Sequence, residues 1–434
     1  MTSDSRPTVV VIGAGLSGLI AARALVRAGI EVAVLEAADR AGGRALSETT
    51  VLGSRVDLGG QWLGHDHHAM AGLAAETGTT VFAMHSGRLP ALIERRRPLS
   101  PLSPGVLIAA LATGLAGALA AAGRPAVSND RPLSAWLSRV PTRRARRLLE
   151  ALALISWTAD LDRLSPRAMT AMIRSQGGVR TMLSTTGGAQ DSLVVEGVGA
   201  IVDALAGELG PRIHLGAPVT RIDRDAGGVT VHTDGRAWRA AEAIVTVPAP
   251  VAARIEHRPP LPAARTAVEE GAYMGSVYKA IAVYDSPFWR ATAEAECVIL
   301  DEPARAVFDT SPPDGPGHLC TLVAGPAARA LDGLDPAERR AALLDPLADR
   351  LGAEVARPAG WHEKSWHLDP HVGGGYLALP EPGSTAGFLP HDATPAGRVH
   401  WAGAETSGEH PGYLEGAVLA GERAAAEVAA ALAG

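Results

Sequence analysis

Uninterrupted apolar runs, amphipathic stretches and one long uncharged segment alternate along this chain. Runs rich in Val, Ile and Leu recur at "TVVVIG" (8–13), "EVAVLE" (31–36), "AEAIVTVPAP" (241–250) and "GRVHWAGAET" (397–406). Such runs predict buried parallel strands covered on both faces, the third one stopped by its prolines. "LIAARALVRAG" (19–29) has one apolar face and predicts a helix ended by Gly29. "DPAERRAALLDPLADRLG" (335–352) predicts a helix bent at Pro346. "PGYLEGAVLAGERAAAEVAAALA" (411–433) predicts a final helix with Pro near its start. Helical patterning dominates from "HHAMAGLAAETG" (67–78) to "TAMIRSQGGV" (170–179), with breaks at 97–105 and 123–134. Beyond residue 193 the pattern gives a helix and then short strands, with turn signals at "DAGG" and "TDG".

The strand-like runs fall at the beginning, middle and end, with no internal repeat. A second domain therefore interrupts the first twice. The stretch "VLIAALATGLAGALAAAG" (106–123) carries no charge, but it is dominated by Ala and Gly and lacks aromatic anchors. It predicts a buried or interfacial helix rather than a membrane span. The basic run 142–150 predicts a solvated helix face.

The first two apolar runs frame a specific chemistry. Gly13, Gly15 and Gly18 form G-x-G-x-x-G between a strand and a helix. The first glycine permits the tight turn, the second lets backbone approach a pyrophosphate, and the third lets helix pack on strand. The helix N-terminus then offers amides to phosphate. Glu36 closes the second strand, where an acid accepts hydrogen bonds from ribose hydroxyls and disfavours a 2′-phosphate. A dinucleotide other than NADP is implied.

At 434 residues the chain is too long for one core. Net charge is −6 and the pI about 6.2, so nothing suggests nucleic acid. Two cysteines, Cys297 and Cys320, and the absence of a signal-peptide pattern fit a reducing cytoplasm.

Past the acid, "EAADRAGGRALS" (36–47) continues with Gly42, Gly43 and Arg44. It resembles the extended FAD fingerprint of glutathione reductase-like flavoproteins, where the arginine approaches the pyrophosphate. "DLGGQWLG" (57–64) resembles a flavin-contacting loop of the same group. "TMLSTTGGAQDSLVVEGVGAIVDAL" (181–205), "GSVYKAIAVYDSPFWR" (275–290), "EKSWHLDPHVGGGYLALPEPG" (363–383) and "VHWAGAETSGEHPGYLEGAVLAGERAA" (399–425) together resemble the flavin-containing amine oxidases, the monoamine and polyamine oxidase superfamily.

The resemblance implies an α/β fold. A Rossmann-like, glutathione reductase-like FAD domain (1–80, 192–260 and 396–434) would carry a discontinuous α+β substrate domain (81–191 and 261–395). It places Lys279 as the holder of a water against flavin N5, with Tyr376 and Tyr413 facing each other above the ring and Trp366 beside it. FAD would be held by Gly13, Ala14, Gly15, Ser17, Gly18, Glu36, Ala37, Gly43, Arg44, Gly59, Gly60, Gln61, Trp62, Val219, Trp366, Gly403, Glu405 and Leu414. Some relatives link flavin through a cysteine just before the first tyrosine; Gly375 stands there, so a non-covalent FAD is expected.

The implied reaction is FAD-dependent amine oxidation: hydride leaves the carbon alpha to nitrogen, the imine is hydrolysed, and O2 becomes H2O2. Alternatives are an L-amino-acid oxidase, which needs an arginine clamp such as Arg174 or Arg180 would offer, a flavin desaturase or dehydrogenase acting on a non-amine, and a non-catalytic flavoprotein. Partners would be a small amine and O2, with no nucleic acid or membrane and with a homodimer admitted. The adjacent His65, Asp66, His67 and His68 lack metal-ligand spacing and are expected to form a cavity loop or an exposed turn, with no metal. His362 and His367 flank Trp366 and would tune the response to pH or lie partly exposed.

Overall fold

A computed structural model describes residues 7–86, 90–123, 131–291 and 293–434. The four apolar runs form one parallel sheet with a short fifth strand. Its order is Val399–Trp401, Glu242–Val245, Val9–Ile12, Val32–Leu35 and Ile213–His214. Alternation explains why the runs are continuous. Val9, Val11, Val32 and Val34 face the helices Leu16–Arg27, Val198–Leu209 and Leu414–Ala433. Val10, Ile12, Ala33 and Leu35 face a smaller sheet through Ile222, Val229, Val231 and Trp238. Both faces are dry, so no polar position is tolerated.

The second large sheet has seven strands. Its order is Gly360–Ser365, Val277–Tyr284, Gly317–Ala324, Arg305–Asp309, Cys297–Ile299, Ala91–Glu94 and Arg97–Pro98. A helical layer that includes Pro104–Ala121, Arg143–Trp157 and Pro166–Ser175 packs beside it around Leu148, Leu149, Met172 and Ile173. Thr142 caps the basic helix by accepting a hydrogen bond from the Ala145 amide at 3.2 Å.

Several sequence expectations change. Val81–Ala83 and Ala91–Glu94 are strands inside the region read as helical. Each is completed by a distant partner, Ser192–Val194 and Cys297–Ile299 respectively, which a local pattern cannot announce. Pro346 breaks its helix rather than bending it: Pro336–Leu344 gives way to a 3₁₀ turn and then Ala348–Leu351. The final helix begins at Leu414, leaving Pro411 outside. The proline-rich break at 123–134 lies partly outside the described residues. The uncharged stretch is a helix, Pro104–Ala121, but only Gly105, Ala109 and Ala120 of it are buried. It is not a core helix.

Candidate active site

The two sheets meet across a single cavity of about 1150 Å³. That exceeds the roughly 300–1,000 Å³ of an ordinary small-molecule pocket, as a dinucleotide plus a second ligand requires.

One end is made by the first strand and its glycine turn. Gly13 has φ +103°, and a Cβ there would lie 2.6 Å from Thr246 Oγ1. A Cβ on Gly18 would lie 2.0 Å from the Gly13 carbonyl oxygen, so only glycine lets the helix sit on the strand end. Space beside Gly15 is open, and Gly15 caps the Leu16–Arg27 helix without any side-chain cap. Its first-turn amides are thus free for an anion. Glu36 Oε2 accepts from the Ala14 amide at 2.7 Å and Oε1 from the Ala38 amide at 2.9 Å. Each oxygen keeps lone-pair capacity toward the cavity that Glu36 lines.

The arginine of the extended fingerprint has a second duty. Arg44 donates to both oxygens of Glu405 at 2.7 and 2.8 Å, and to the Tyr376 carbonyl at 2.8 Å. Glu405 also accepts from the Ala378 amide. Despite its burial, the arginine holds the Glu405 carboxyl down at about 2. Arg44 therefore lines the cavity while tying the dinucleotide end to the strand that carries Tyr376.

Lys279 lies on the all-buried strand Val277–Tyr284. Its Nζ donates to the Gly59 carbonyl at 2.9 Å and to Gln61 Oε1 at 2.6 Å. Burial lowers its pKa, partly offset by the Asp57 carboxylate. A neutral amine would spend two N–H groups on these acceptors and keep a lone pair for a third partner. Trp366 donates its indole N–H to the Leu58 carbonyl at 2.8 Å. The Tyr376 hydroxyl is buried with no partner among the described residues. The Tyr413 hydroxyl donates to Gln176 Oε1 at 3.4 Å. Burial raises the pKa of both phenols, so they stay protonated.

Of the residues expected from sequence, Lys279, Tyr376, Tyr413, Gly13, Gly15, Ser17, Glu36, Ala37, Gly43, Arg44, Gly59, Gly60, Gln61, Trp62, Val219, Trp366, Gly403 and Leu414 all line this cavity. Ala14, Gly18 and Glu405 do not. Ala14 is turned to Glu36, Gly18 packs on Gly13, and the Glu405 carboxylate is consumed by Arg44 and Ala378. Sequence reasoning missed Arg40, which donates to the carbonyls of Ala41, Gly43 and Ala45 and so shapes the glycine pair. Its position just before "AGGR" was the available signal. It also missed Thr246 and Gln176, which no local motif marks.

The histidine cluster is neither a cavity loop nor simply an exposed turn. His67 is buried behind Tyr413, their ring centroids 5.3 Å apart, and its pKa falls to about 4 through burial. Asp66, His67 and His410 bring ligand-type atoms within 4.8 Å of one another. However, the Gly64 amide donates to His67 Nδ1 at 2.9 Å, which puts the neutral ring's proton on Nε2. His362 and His367 do not line the cavity; they pair at 2.6 Å with Glu48 and Asp332.

The helical layer and the seven-stranded sheet give the cavity an apolar wall of Leu152, Ile155, Met172, Met182, Val298 and Phe308, interrupted by Ser156, Gln176 and Gln190. Arg174 and Arg180 are exposed and outside it. Glu296 and Cys297 also line it. Cys297 is held as a thiol, its pKa pushed by burial to about 12.

The sequence profile of flavin containing amine oxidoreductases matches residues 16–124 and 129–429. The chain is 36% identical to AofH of Mycobacterium tuberculosis, named for a flavin-containing monoamine oxidase, over 98% of this chain and 97% of that one. It is 31% identical to amine oxidase [flavin-containing] B of Sus scrofa, over 98% and 86%. Cyclohexylamine oxidase from Brevibacterium oxydans superposes with a TM-score of 0.93 at 28% identity, covering 99% and 100% of the two chains. Putrescine oxidase bound to putrescine gives 0.87 at 27%, covering 98% and 99%.

Proposed function

The chain belongs to the flavin-containing amine oxidoreductases and is an FAD-dependent amine oxidase, and on that premise we propose that it oxidises a small amine with an apolar body, using O2 and releasing hydrogen peroxide. The observation that carries the substrate reading is the apolar part of the cavity wall, Leu152, Ile155, Met172, Met182, Val298 and Phe308, with Arg174 and Arg180 outside the cavity. A carboxylate substrate would find no clamp, and an apolar amine buries its body at about 25 cal/mol per Å².

When bound, FAD supplies the two-electron hydride acceptor. The amine loses hydride from the carbon next to nitrogen, and water hydrolyses the resulting imine to a carbonyl compound and free amine. The segments 1–80, 192–260 and 396–434 hold the cofactor, and 81–191 with 261–395 hold the amine. Gly375, next to Tyr376, offers no thiol, so FAD is held non-covalently. Tyr376 and Tyr413 present a dry aromatic slot that favours the unprotonated amine, the form able to release hydride. Lys279 holds a water by its remaining donor or lone pair, an assignment supported by its two fixed acceptors and its lowered pKa. Arg44 and Glu405 fix the strand that carries Tyr376.

A diamine is the second reading, favoured by Glu296. Glu296 lines the same cavity just before the Cys297–Ile299 strand, three strands across the sheet from that of Lys279, and its carboxyl, which accepts from the Ser86 hydroxyl at 2.6 Å, is offered to a second ammonium. Burial raises its pKa, however, which weakens it as an anion. A peroxide-coupled assay decides. We expect the largest kcat/KM with cyclohexylamine, a lower value with putrescine and none with L-amino acids. Fastest turnover of an L-amino acid would overturn the substrate reading; putrescine above cyclohexylamine would install the diamine.

A further inference from the structure

The Pro104–Ala121 helix presents an outward face that a soluble surface does not ordinarily carry. Leu107, Leu111 and Leu115 are 47, 74 and 57% exposed, spaced at i, i+4 and i+8, and Leu102 just before the helix is 79% exposed. Between them the same face shows only Ala and Gly: Ala110, Gly114 and Ala118 are exposed. The other face packs on the Arg143–Trp157 and Pro166–Ser175 helices through Ala109 and Ala120. The helix has the length and mean hydropathy of a membrane span, 18 residues at 1.8. It is nevertheless tied down along one side, so it can lie on a surface but cannot cross one without abandoning that packing.

Charge identifies what the surface would be. From residue 94 to residue 180 the sequence carries fourteen arginines, no lysine and five acids, within a chain whose net charge is −6; Arg144 and Arg147 pair with Glu94, Arg163 with Glu381 and Arg96 with Asp349. Arginines lie at both ends of the helix. The Arg144 stem packs against the buried Gly105 at one end, its guanidinium paired with Glu94 at 2.9 Å, and the Arg174 guanidinium approaches Gly123 at the other. Arg143, Arg174 and Arg180 are exposed, with no acidic partner among the described residues. A basic rim around an apolar stripe matches an anionic headgroup layer over acyl chains. A second copy of the chain fits badly: a two-fold contact would bring like-charged rims together.

We propose that this face docks the enzyme peripherally on anionic phospholipid. The test uses the full-length, FAD-loaded enzyme and vesicle co-sedimentation. Wild type should sediment with phosphatidylglycerol–phosphatidylcholine vesicles, less so at high salt, and stay in solution with phosphatidylcholine alone. The triple variant Leu107→Glu, Leu111→Glu, Leu115→Glu should lose more than about tenfold of that partitioning while keeping its bound-flavin spectrum. As a second variant, the exposed pair Arg174→Glu, Arg180→Glu should weaken binding and flatten its salt dependence. Wild type remaining in solution with the anionic vesicles overturns the proposal. So does equal sedimentation of flavin-loaded variants, or a wild-type dimer that the triple variant splits into monomers.

Discussion

At the dinucleotide end of the cavity much of the wall is backbone, and a large share of it comes from residues 12–62. Gly13, Gly15, Gly43, Gly59 and Gly60 bring main chain to the surface, and Glu36 and Arg40 pin the loops. At the amine end the wall is side chains, brought from far apart in sequence: Leu152, Met172, Lys279, Phe308, Tyr376 and Tyr413. The first end binds a constant ligand through peptide amides and close approach, which demands glycine at fixed spacing. The second binds a variable ligand through shape, which many residues can satisfy.

That contrast predicts different responses to mutation. The steepest is expected from Gly18→Ala, whose Cβ would meet the Gly13 carbonyl oxygen at 2.0 Å, a backbone atom that cannot swing aside, and Thr246 Oγ1 at 3.0 Å. The variant should purify without its flavin absorbance; a normally yellow protein would show that the turn relaxes.

Next is Glu405→Ala, which leaves the half-buried Arg44 guanidinium with only the Tyr376 carbonyl. Losing hydrogen bonds to a charged group costs about 1.5–3 kcal/mol, read as loss of denaturant stability at neutral pH. A change under about 1 kcal/mol, the size of a surface pair, would mean water takes the place of the carboxylate.

Glu36→Ala should cost about 1.5–3 kcal/mol of FAD affinity, the worth of hydrogen bonds to a charged group. Unchanged FAD affinity would refute its role in the turn.

The smallest effect expected at neutral pH is electrostatic. His67, His318 and His391 are buried and His257 is half-buried, and desolvation lowers each to about 4. Their folded-state values lie below the unfolded 6.5. The unfolded chain therefore takes up protons that the native one refuses, and stability is lost as pH falls from about 6.5 toward 4. Each unit of the gap is worth about 1.4 kcal/mol per histidine. Denaturation midpoints that stay flat from pH 7 to 4.5 would contradict this burial.

The same contrast explains what could be read before the fold. The parallel sheet was legible because burial on both faces leaves an unbroken apolar run, as in "TVVVIG". The glycine turn was legible because its geometry excludes other residues. Lys279 and the two tyrosines were legible only through resemblance; periodicity alone marks Lys279 as an oddity in "VYKAIAVY" and says nothing of Gly59 or Gln61. The strands Val81–Ala83 and Ala91–Glu94 were missed because their partners lie far along the chain. Glu405 was assigned to the cofactor because its motif is close to the site, whereas its carboxylate serves Arg44. The Pro104–Ala121 helix was read as buried or interfacial, and only the packing of its neighbours excludes the first.

Lys279→Met tests the account at its centre, because it keeps the side chain's length and removes the nitrogen that joins Gly59, Gln61 and the reacting end of the cavity. Stopped flow separates anaerobic reduction by cyclohexylamine from reoxidation by O2 in the flavin-loaded protein. The account predicts normal flavin content with one or both half-reactions slowed by about 10²–10⁴-fold, the range of positioned proton-transfer and water-holding groups. Both rates within about twofold of wild type, far below that range, would make Lys279 a structural residue and contradict the account.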